Sequence, residues 1–276
     1  MNERIGIIGF GNMGSIIAEW LKAKYPVCVF DKEKEKIKNL SGIAIAAGIL
    51  DLIKKSQVII IAVKPQDIEP VLKILKNNAQ DKLVISIAAG IPTTYIEKAL
   101  GGGHVVRAMP NLCARIGESV TCLSEGKSVS DEELELAQEI FYYLGVTRLV
   151  EEKMMNAVTA ISGSGPAYIF DLMEKNSLDP STIPQYTHDD IIEHLEDAAE
   201  AVGFSPEDAQ FLAANTVNAS INLVKKTKVA PAELKKQVTS KGGTTEAALK
   251  VLQKGGTWNE AALAALKRAE ELAKKG

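Results

Sequence analysis

Histidine and cysteine are both scarce in this chain, with three of each among 276 residues. Cys28, Cys113 and Cys122 are odd in number, far apart and without a CxxC pair, which argues against a disulfide framework or a zinc knuckle and leaves buried free thiols as the expectation. A charge excess of one sign is missing too. The 32 basic and 35 acidic side chains leave a net charge of -3, so nothing in the total recommends nucleic acid or an anionic membrane as a partner. No stretch reaches the about eighteen consecutive apolar residues of a membrane span, because lysines such as Lys54, Lys55 and Lys64 interrupt every apolar run. Met1-Asn2-Glu3-Arg4 passes directly into Ile5-Gly6-Ile7-Ile8, without the basic region, apolar stretch and cleavage site of a secretion signal. A cytoplasmic protein acting on a small molecule is expected. What remains is ordinary globular composition, 46% hydrophobic and 24% charged, on a chain long enough for two domains.

Over residues 1–150, short β-branched runs alternate with helical patterns, which is how βαβ units with a parallel, doubly wound sheet are written. The runs predict strands near 4–8, 27–31, 57–63, 83–87, 104–108, 119–123 and 146–150. Helical periodicity covers Asn12–Lys24, Pro65–Lys76, Pro92–Ala99 and Asp131–Leu144, the last behind a capping Ser130. After Val150, alanine, glutamate, leucine and lysine take over, and residues 151–276 read as an all-helical second domain. Ser205-Pro206-Glu207-Asp208 has the form of a capped helix start, and Thr257-Trp258-Asn259-Glu260 that of a capping box opening a last helix that runs to Lys274-Lys275-Gly276.

Gly9-Phe10-Gly11-Asn12-Met13-Gly14 is a GxGxxG between the first strand and the first helix. Gly9 permits a tight turn, Gly11 lets a pyrophosphate approach the backbone, and Gly14 lets helix and strand pack closely. This is a Rossmann-type dinucleotide site, with the diphosphate held by the helix N-terminus. Asp31, at the end of the second strand, stands where an acid binds the adenosine ribose and favours NAD; the lesser alternative is that it caps a helix starting near Glu33. Lys32 and Lys34 follow at once and suit a 2'-phosphate instead. Lys64 closes the strand 57–63, on the side of the sheet where such folds bind ligands, although a surface lysine without a role fits the pattern as well.

Further along come Ser86-Ile87-Ala88-Ala89-Gly90-Ile91, Arg107-Ala108-Met109-Pro110-Asn111, Ser162-Gly163-Ser164-Gly165-Pro166-Ala167-Tyr168 and Val238-Thr239-Ser240-Lys241-Gly242-Gly243-Thr244-Thr245. In this order, with the glycine loop, they resemble the pyrroline-5-carboxylate reductase family, and the resemblance runs from Arg4 to about residue 270 with one interruption. It implies an NADPH- or NADH-dependent oxidoreductase of proline biosynthesis, reducing 1-pyrroline-5-carboxylate to L-proline. The implied fold is a Rossmann domain followed by a helical domain that pairs with a second copy, giving a homodimer or higher homo-oligomer; alanine and leucine spacing in the helical half also leaves apolar face to cover. By the same resemblance Gly9, Gly11, Asn12, Met13 and Gly14 contact the pyrophosphate, while Ala62, Val63, Lys64 and Pro65 line the nicotinamide end. Met109, Pro110 and Asn111 lie beneath the ring. Ser240, Lys241, Gly242, Gly243, Thr244 and Thr245 hold the substrate carboxylate, with Thr245 and Ser240 as the catalytic hydroxyls and Thr245 also placed for the ring nitrogen. Hydride delivery to a C=N bond needs positioning and a carboxylate anchor more than an acid/base pair, which suits a chain with so few histidines. Successive amides of Ser240-Lys241-Gly242-Gly243 read as an anion nest, or as a Gly-Gly turn before a helix N-cap.

Three departures from the family pattern are visible. Lys241 replaces a proline, Leu112-Cys113 replace Thr-Pro, and about nineteen residues from Lys175 to Glu193 interrupt an otherwise continuous helix. Asn176-Ser177, Pro180 and Pro184 predict an irregular excursion, and Thr187-His188-Asp189-Asp190 a new helix start. His188, Asp189, Asp190, Glu193 and His194 are capable of metal ligation, but the histidines are six apart and face different sides of a helix, so no metal site is expected. Two other functions compete. A β-hydroxyacid dehydrogenase requires a second-domain lysine, for which only Lys153 is near; a non-catalytic scaffold would use the interrupted helix to hold a partner.

Overall fold

Isoleucine- and valine-rich runs make the middle of a sheet. In the computed structural model, which describes residues 3–273, the first part of the chain alternates β1 (Ile5–Ile8), α1 (Asn12–Leu21), β2 (Val27–Phe30), β3 (Ala44–Ile45), α2 (Ile49–Lys55), β4 (Val58–Ile61), α3 (Ile68–Leu75), β5 (Leu83–Ser86), α4 (Thr93–Leu100), β6 (His104–Met109), β7 (Ser119–Glu125), α5 (Asp131–Tyr142) and β8 (Gly145–Leu149). The strands form one sheet in the order β3-β2-β1-β4-β5-β6-β7-β8. Every pair from β3 to β6 is parallel, and β7 runs antiparallel to β6. Each position of β1, β4 and β5 is buried, as expected of parallel strands covered on both faces. Ile59, Ile61 and Val84 pack with Leu72 and Leu75 of α3 and Ile96 of α4 in one apolar cluster. Strand order reverses between β1 and β4, and the crevice beyond their carboxyl ends is where sheets of this kind take ligands.

Capping chemistry sets several boundaries. Ser130 accepts from the Glu133 amide while Glu133 reaches back to the Ser130 amide, a complete capping box at α5. Pro70 sits in the first turn of α3, where a missing N–H costs nothing. The helix expected from Pro65 opens instead with a 3-10 turn, Pro65–Asp67, and α1 stops at Leu21 rather than Lys24. Two elements lie where the sequence shows none. The pair Ala44–Ile45 is too short and too exposed to display alternation, and it becomes a strand through Cys28 and Val29 of β2. The seven-residue α2 owes its existence to burying Leu52 and Ile53.

Contacts gather the described residues up to Met109 and Cys122–Glu152 into one unit, and Pro110–Thr121 with the chain from Lys153 into a second. Helices make up most of the latter: α6 (Met155–Val158), a wide π turn over Thr159–Gly163, α7 (Gly165–Lys175), α8 (Gln185–Ala201), α9 (Pro206–Thr227), α10 (Pro231–Val238), α11 (Thr244–Leu252) and α12 (Trp258–Ala273). Inside this unit α12 packs on α11 and α8, α9 on α8 and α7, and α10 on α7. Ser205 caps α9, and Thr257 and Glu260 exchange both capping-box bonds before α12. The expected end of that helix at Lys274-Lys275-Gly276 lies outside the described residues. Between α7 and α8 the chain leaves helical geometry as the prolines predict, though α8 begins at Gln185, ahead of Thr187. His188 bonds Asn218 at 2.8 Å and the His194 ring faces Trp258, so the two imidazoles serve different neighbours.

Asp171 ties α7 to α10. It is 4% exposed and takes Lys175 at 2.8 Å and Lys235 at 2.9 Å. Burial alone would raise its carboxyl; the bonds from Lys175 and Lys235 outweigh burial and hold it below the usual carboxylate range. A depressed folded pKa means stability that is full above the unfolded value near about 4 and lost as pH falls through the folded one. Asp171→Asn is expected to cost about 1–3 kcal/mol in urea unfolding at neutral pH, with the difference from the parent shrinking below about pH 4.

Candidate active site

The three loop glycines are required for three separate reasons. Gly9 holds φ at +101°, and a Cβ there would lie 2.6 Å from the Ala62 carbonyl oxygen. On Gly14 a Cβ would meet the Gly9 carbonyl oxygen at 2.1 Å, so helix and turn touch through bare backbone. Gly11 has no atom within 4 Å of that position, although it is the N-cap residue of α1. No side chain caps α1 and no acid sits in its first turn, which leaves the amide end of the helix, at Asn12 and Met13, open to an anion.

Asp31 braces this turn. It is 8% exposed; one carboxylate oxygen accepts the Phe10 amide at 2.7 Å and the other the Glu33 amide at 2.8 Å. Standing directly after β2, it thus folds the chain back on itself just before the 3-10 turn Lys34–Ile37, whose own N-cap residue, Glu33, makes no side-chain cap bond. Lys32 pairs with Asp67 at 2.8 Å and Lys36 with Glu33 at 2.6 Å. Donating to these carboxylates raises both lysines above their ordinary values. A cleft of about 410 Å³ opens beside the turn, lined by Gly9, Gly11, Asp31, Lys32, Val63 and Lys64. Its apolar wall comes from Phe30 and from Ile49, Val71 and Ile74 of α2 and α3, none of which the sequence reading singles out. Val71 and Ile74 were available from the apolar periodicity of α3; Ile49 lies on a helix too short to announce itself. Ala62 to Pro65 follow β4 directly, with Lys64 exposed before the 3-10 turn that Pro65 opens.

Met109 ends β6 and is buried. Asn111 is 2% exposed and used internally: its carbonyl oxygen accepts the Cys113 amide, its NH₂ donates to the Ser162 carbonyl at 3.1 Å, and its own amide donates to the Ser119 hydroxyl. Leu112 and Cys113, which depart from the family pattern, are core residues, and burial pushes the Cys113 thiol up to about 12. The six residues Ser240 to Thr245 form the turn leading into α11. Here the Gly242 amide donates to Glu246 at 3.1 Å and the Gly243 amide to the Ser240 carbonyl at 3.0 Å, so these two members of the expected nest are engaged within the chain. Arg268 of α12 holds the Gly242 carbonyl at 2.7 Å. Gly243 caps α11 without a side-chain bond, leaving the first-turn amides of Thr244 and Thr245 uncapped, while Ser240 and Lys241 are exposed. Hydrogen bonds from Lys250, then from the Gly242 amide, hold Glu246 below the usual carboxylate range.

A doubly wound parallel sheet with an open, glycine-lined helix N-terminus at its point of strand reversal defines a dinucleotide-dependent oxidoreductase. Residues 4–90 match the family model described as NADP oxidoreductase coenzyme F420-dependent, and residues 189–274 the one described as pyrroline-5-carboxylate reductase dimerisation. The chain belongs to the pyrroline-5-carboxylate reductase family. It is 36% identical to the reductase of Methanosarcina acetivorans, over 99% of each chain, and 34% identical to that of Aquifex aeolicus, over 100% of this chain and 98% of the relative. Among solved structures, the Coxiella burnetii reductase superposes with a TM-score of 0.66 at 32% identity, covering 99% of both chains. The Plasmodium falciparum reductase, solved with NADP bound, superposes at 0.65 and 27% identity, over 99% and 98%. Neither the hydroxyacid dehydrogenase nor the scaffold reading is favoured by these matches.

Gly11→Ala and Gly14→Ala separate binding from folding. Gly11→Ala adds a methyl to open space and is expected to leave urea stability within about 0.5 kcal/mol of the parent while weakening NAD(P)H binding at least about tenfold by fluorescence titration. Gly14→Ala forces the turn off α1 and is expected to lower stability itself by about 1–3 kcal/mol.

Proposed function

We propose that this chain reduces 1-pyrroline-5-carboxylate to L-proline with NADPH or NADH. The observation that carries the reading is the extent of the family match: relatives that are 32–36% identical cover 92–100% of this chain, helical unit included, and not the nucleotide-binding unit alone. The glycine turn fits a dinucleotide, since Gly11 faces open space and the α1 amides are uncapped. When bound, the dinucleotide supplies the hydride for the imine carbon.

In this reading Gly9, Gly11, Asn12, Met13 and Gly14 receive the diphosphate, Asp31 and Lys32 border the adenosine ribose, and Ala62 to Pro65 with Met109, Pro110 and Asn111 contact the nicotinamide end. The α11 corner, Ser240 to Thr245, takes the substrate carboxylate, with the Thr244 and Thr245 amides replacing those that Gly242 and Gly243 use internally. Thr245 meets the ring nitrogen. The first unit is the nucleotide domain and the second the substrate domain. The match of residues 189–274 to a dimerisation family supports a homo-oligomer built on the helical unit. The near-balanced charge supports a small-molecule partner rather than nucleic acid, and among the described residues no helix is long and apolar enough to cross a membrane. A cytoplasmic location is part of the same reading.

Mixing the purified protein with 1-pyrroline-5-carboxylate and either reduced dinucleotide is expected to consume the nicotinamide absorbance and yield L-proline one for one. Absence of turnover with both dinucleotides would overturn the proposal. Light scattering is expected to give a dimer or a larger even assembly, and a monomer would remove the oligomer from it.

A further inference from the structure

A cluster of hydroxyls lies where the π turn hands over to α7. Ser164 closes that turn through its amide, which donates to the Thr159 carbonyl at 2.9 Å, and it is 1% exposed. Its Oγ receives the hydroxyl of Thr245 at 3.0 Å and stands 3.0 Å from Thr244 Oγ1. Tyr168, one turn along α7, is fully buried, donates its hydroxyl to the Ala160 carbonyl at 2.9 Å and also lies within hydrogen-bonding reach of Ser164. Ser164 is therefore the hub: its amide is held by the Thr159 carbonyl, and its hydroxyl touches both threonines of the α11 corner, 80 residues along the chain at Thr244.

A hydroxyl carries one hydrogen and two lone pairs. With its hydrogen committed to Ser164, Thr245 presents only lone pairs to any further partner, and its β-branched side chain, 4% exposed, has little freedom to turn elsewhere. A protonated imine nitrogen is a hydrogen-bond donor with no lone pair to give. A neutral imine nitrogen is an acceptor only, and would meet Thr245 lone pair to lone pair. Only the first is matched, and it is also the better hydride acceptor, because its positive charge lowers the energy of the C=N carbon toward a nucleophile. We propose that Ser164 is a positioning residue that fixes Thr245 as a hydrogen-bond acceptor and so makes the corner select the protonated form of the cyclic imine. The step balances: the hydride adds to the imine carbon, the C=N π pair moves to nitrogen and neutralises its charge, and the dinucleotide leaves oxidised. This rests on the reading that Thr245 meets the ring nitrogen.

The test is a double-mutant cycle of Ser164→Ala and Thr245→Val, with pH profiles on each protein. Ser164→Ala is expected to lower kcat/KM for 1-pyrroline-5-carboxylate about 10- to 100-fold with the Kd for NAD(P)H unchanged. Without Ser164, Thr245 is free to donate to a neutral imine as well as to accept from a protonated one, so the bound preference for the protonated form weakens and the alkaline limb of the kcat profile is expected to move to lower pH. In the Thr245→Val background the Ser164 substitution is expected to add less than about threefold, since the route through Thr245 is gone. Losses that multiply in the double variant, or an alkaline limb that stays where it was in Ser164→Ala, would overturn the proposal. A parent protein that turns over while Ser164→Ala is unimpaired sinks this proposal alone; a parent without turnover sinks the functional reading beneath it.

Discussion

One buried carboxylate holds the nucleotide end of the first unit together. Asp31 spans the tips of β1 and β2, taking the Phe10 amide on one oxygen and the Glu33 amide on the other. Charge-assisted bonds of this kind are worth about 1.5–3 kcal/mol each, and they act beside the Gly9 amide, which is itself bonded to the Phe30 carbonyl at 2.8 Å. The left-handed Gly9 and the backbone contact at Gly14 are tolerable only if the turn stays where these bonds put it. The open face of Gly11 and the direction of the α1 amides follow. An acid in this place is usually described by what it does to the ribose; here its first task is to shape the turn.

The two units meet their chemical demands by different means. Backbone amides, a helix dipole and two exposed lysine–carboxylate pairs furnish the electrostatics of the first. The α11 corner of the second presents neutral hydroxyls, Ser164, Thr244 and Thr245. The proposed reduction needs no titrating acid/base pair at either, and the three histidines have other neighbours: His104 bonds Glu133, His188 bonds Asn218, and His194 lies against Trp258. Their scarcity matches a reaction in which geometry does most of the work.

Much of this was legible in the linear chain. Alternating β-branched and helical runs announced the doubly wound sheet, and GxGxxG named three glycines, of which the structure gives Gly9 a φ of +101°, leaves a Cβ on Gly14 only 2.1 Å from backbone, and puts Gly11 beside open space. The cap at Ser130 and the capping box at Thr257 were both legible, and the structure completes Ser130 into a box with Glu133. What escaped was whatever depends on partners distant in sequence. The strand Ala44–Ile45 exists only through β2, the cleft wall draws Ile49 from a helix of seven residues, and nothing near Gly242 tells that Glu246 and Arg268 will engage its amide and carbonyl. Asp31 left two roles open; it bonds the Phe10 and Glu33 amides, while the 3-10 turn that follows has Glu33 as its N-cap residue and no side-chain cap.

The π turn over Thr159–Gly163 amounts to one residue more than an α-helix would use for the same advance. Each residue of an α-helix rotates the chain by about 100°, so the surplus turns all of α7 by that angle relative to α6. The phase of α7, which buries Tyr168 and Phe170 together and aims Ser164 toward the threonines of α11, is thereby set by a single residue of chain length upstream. Shortening the segment by one would leave every side chain chemically intact and swing the serine a quarter-turn aside. At this junction the count of residues matters more than their identity.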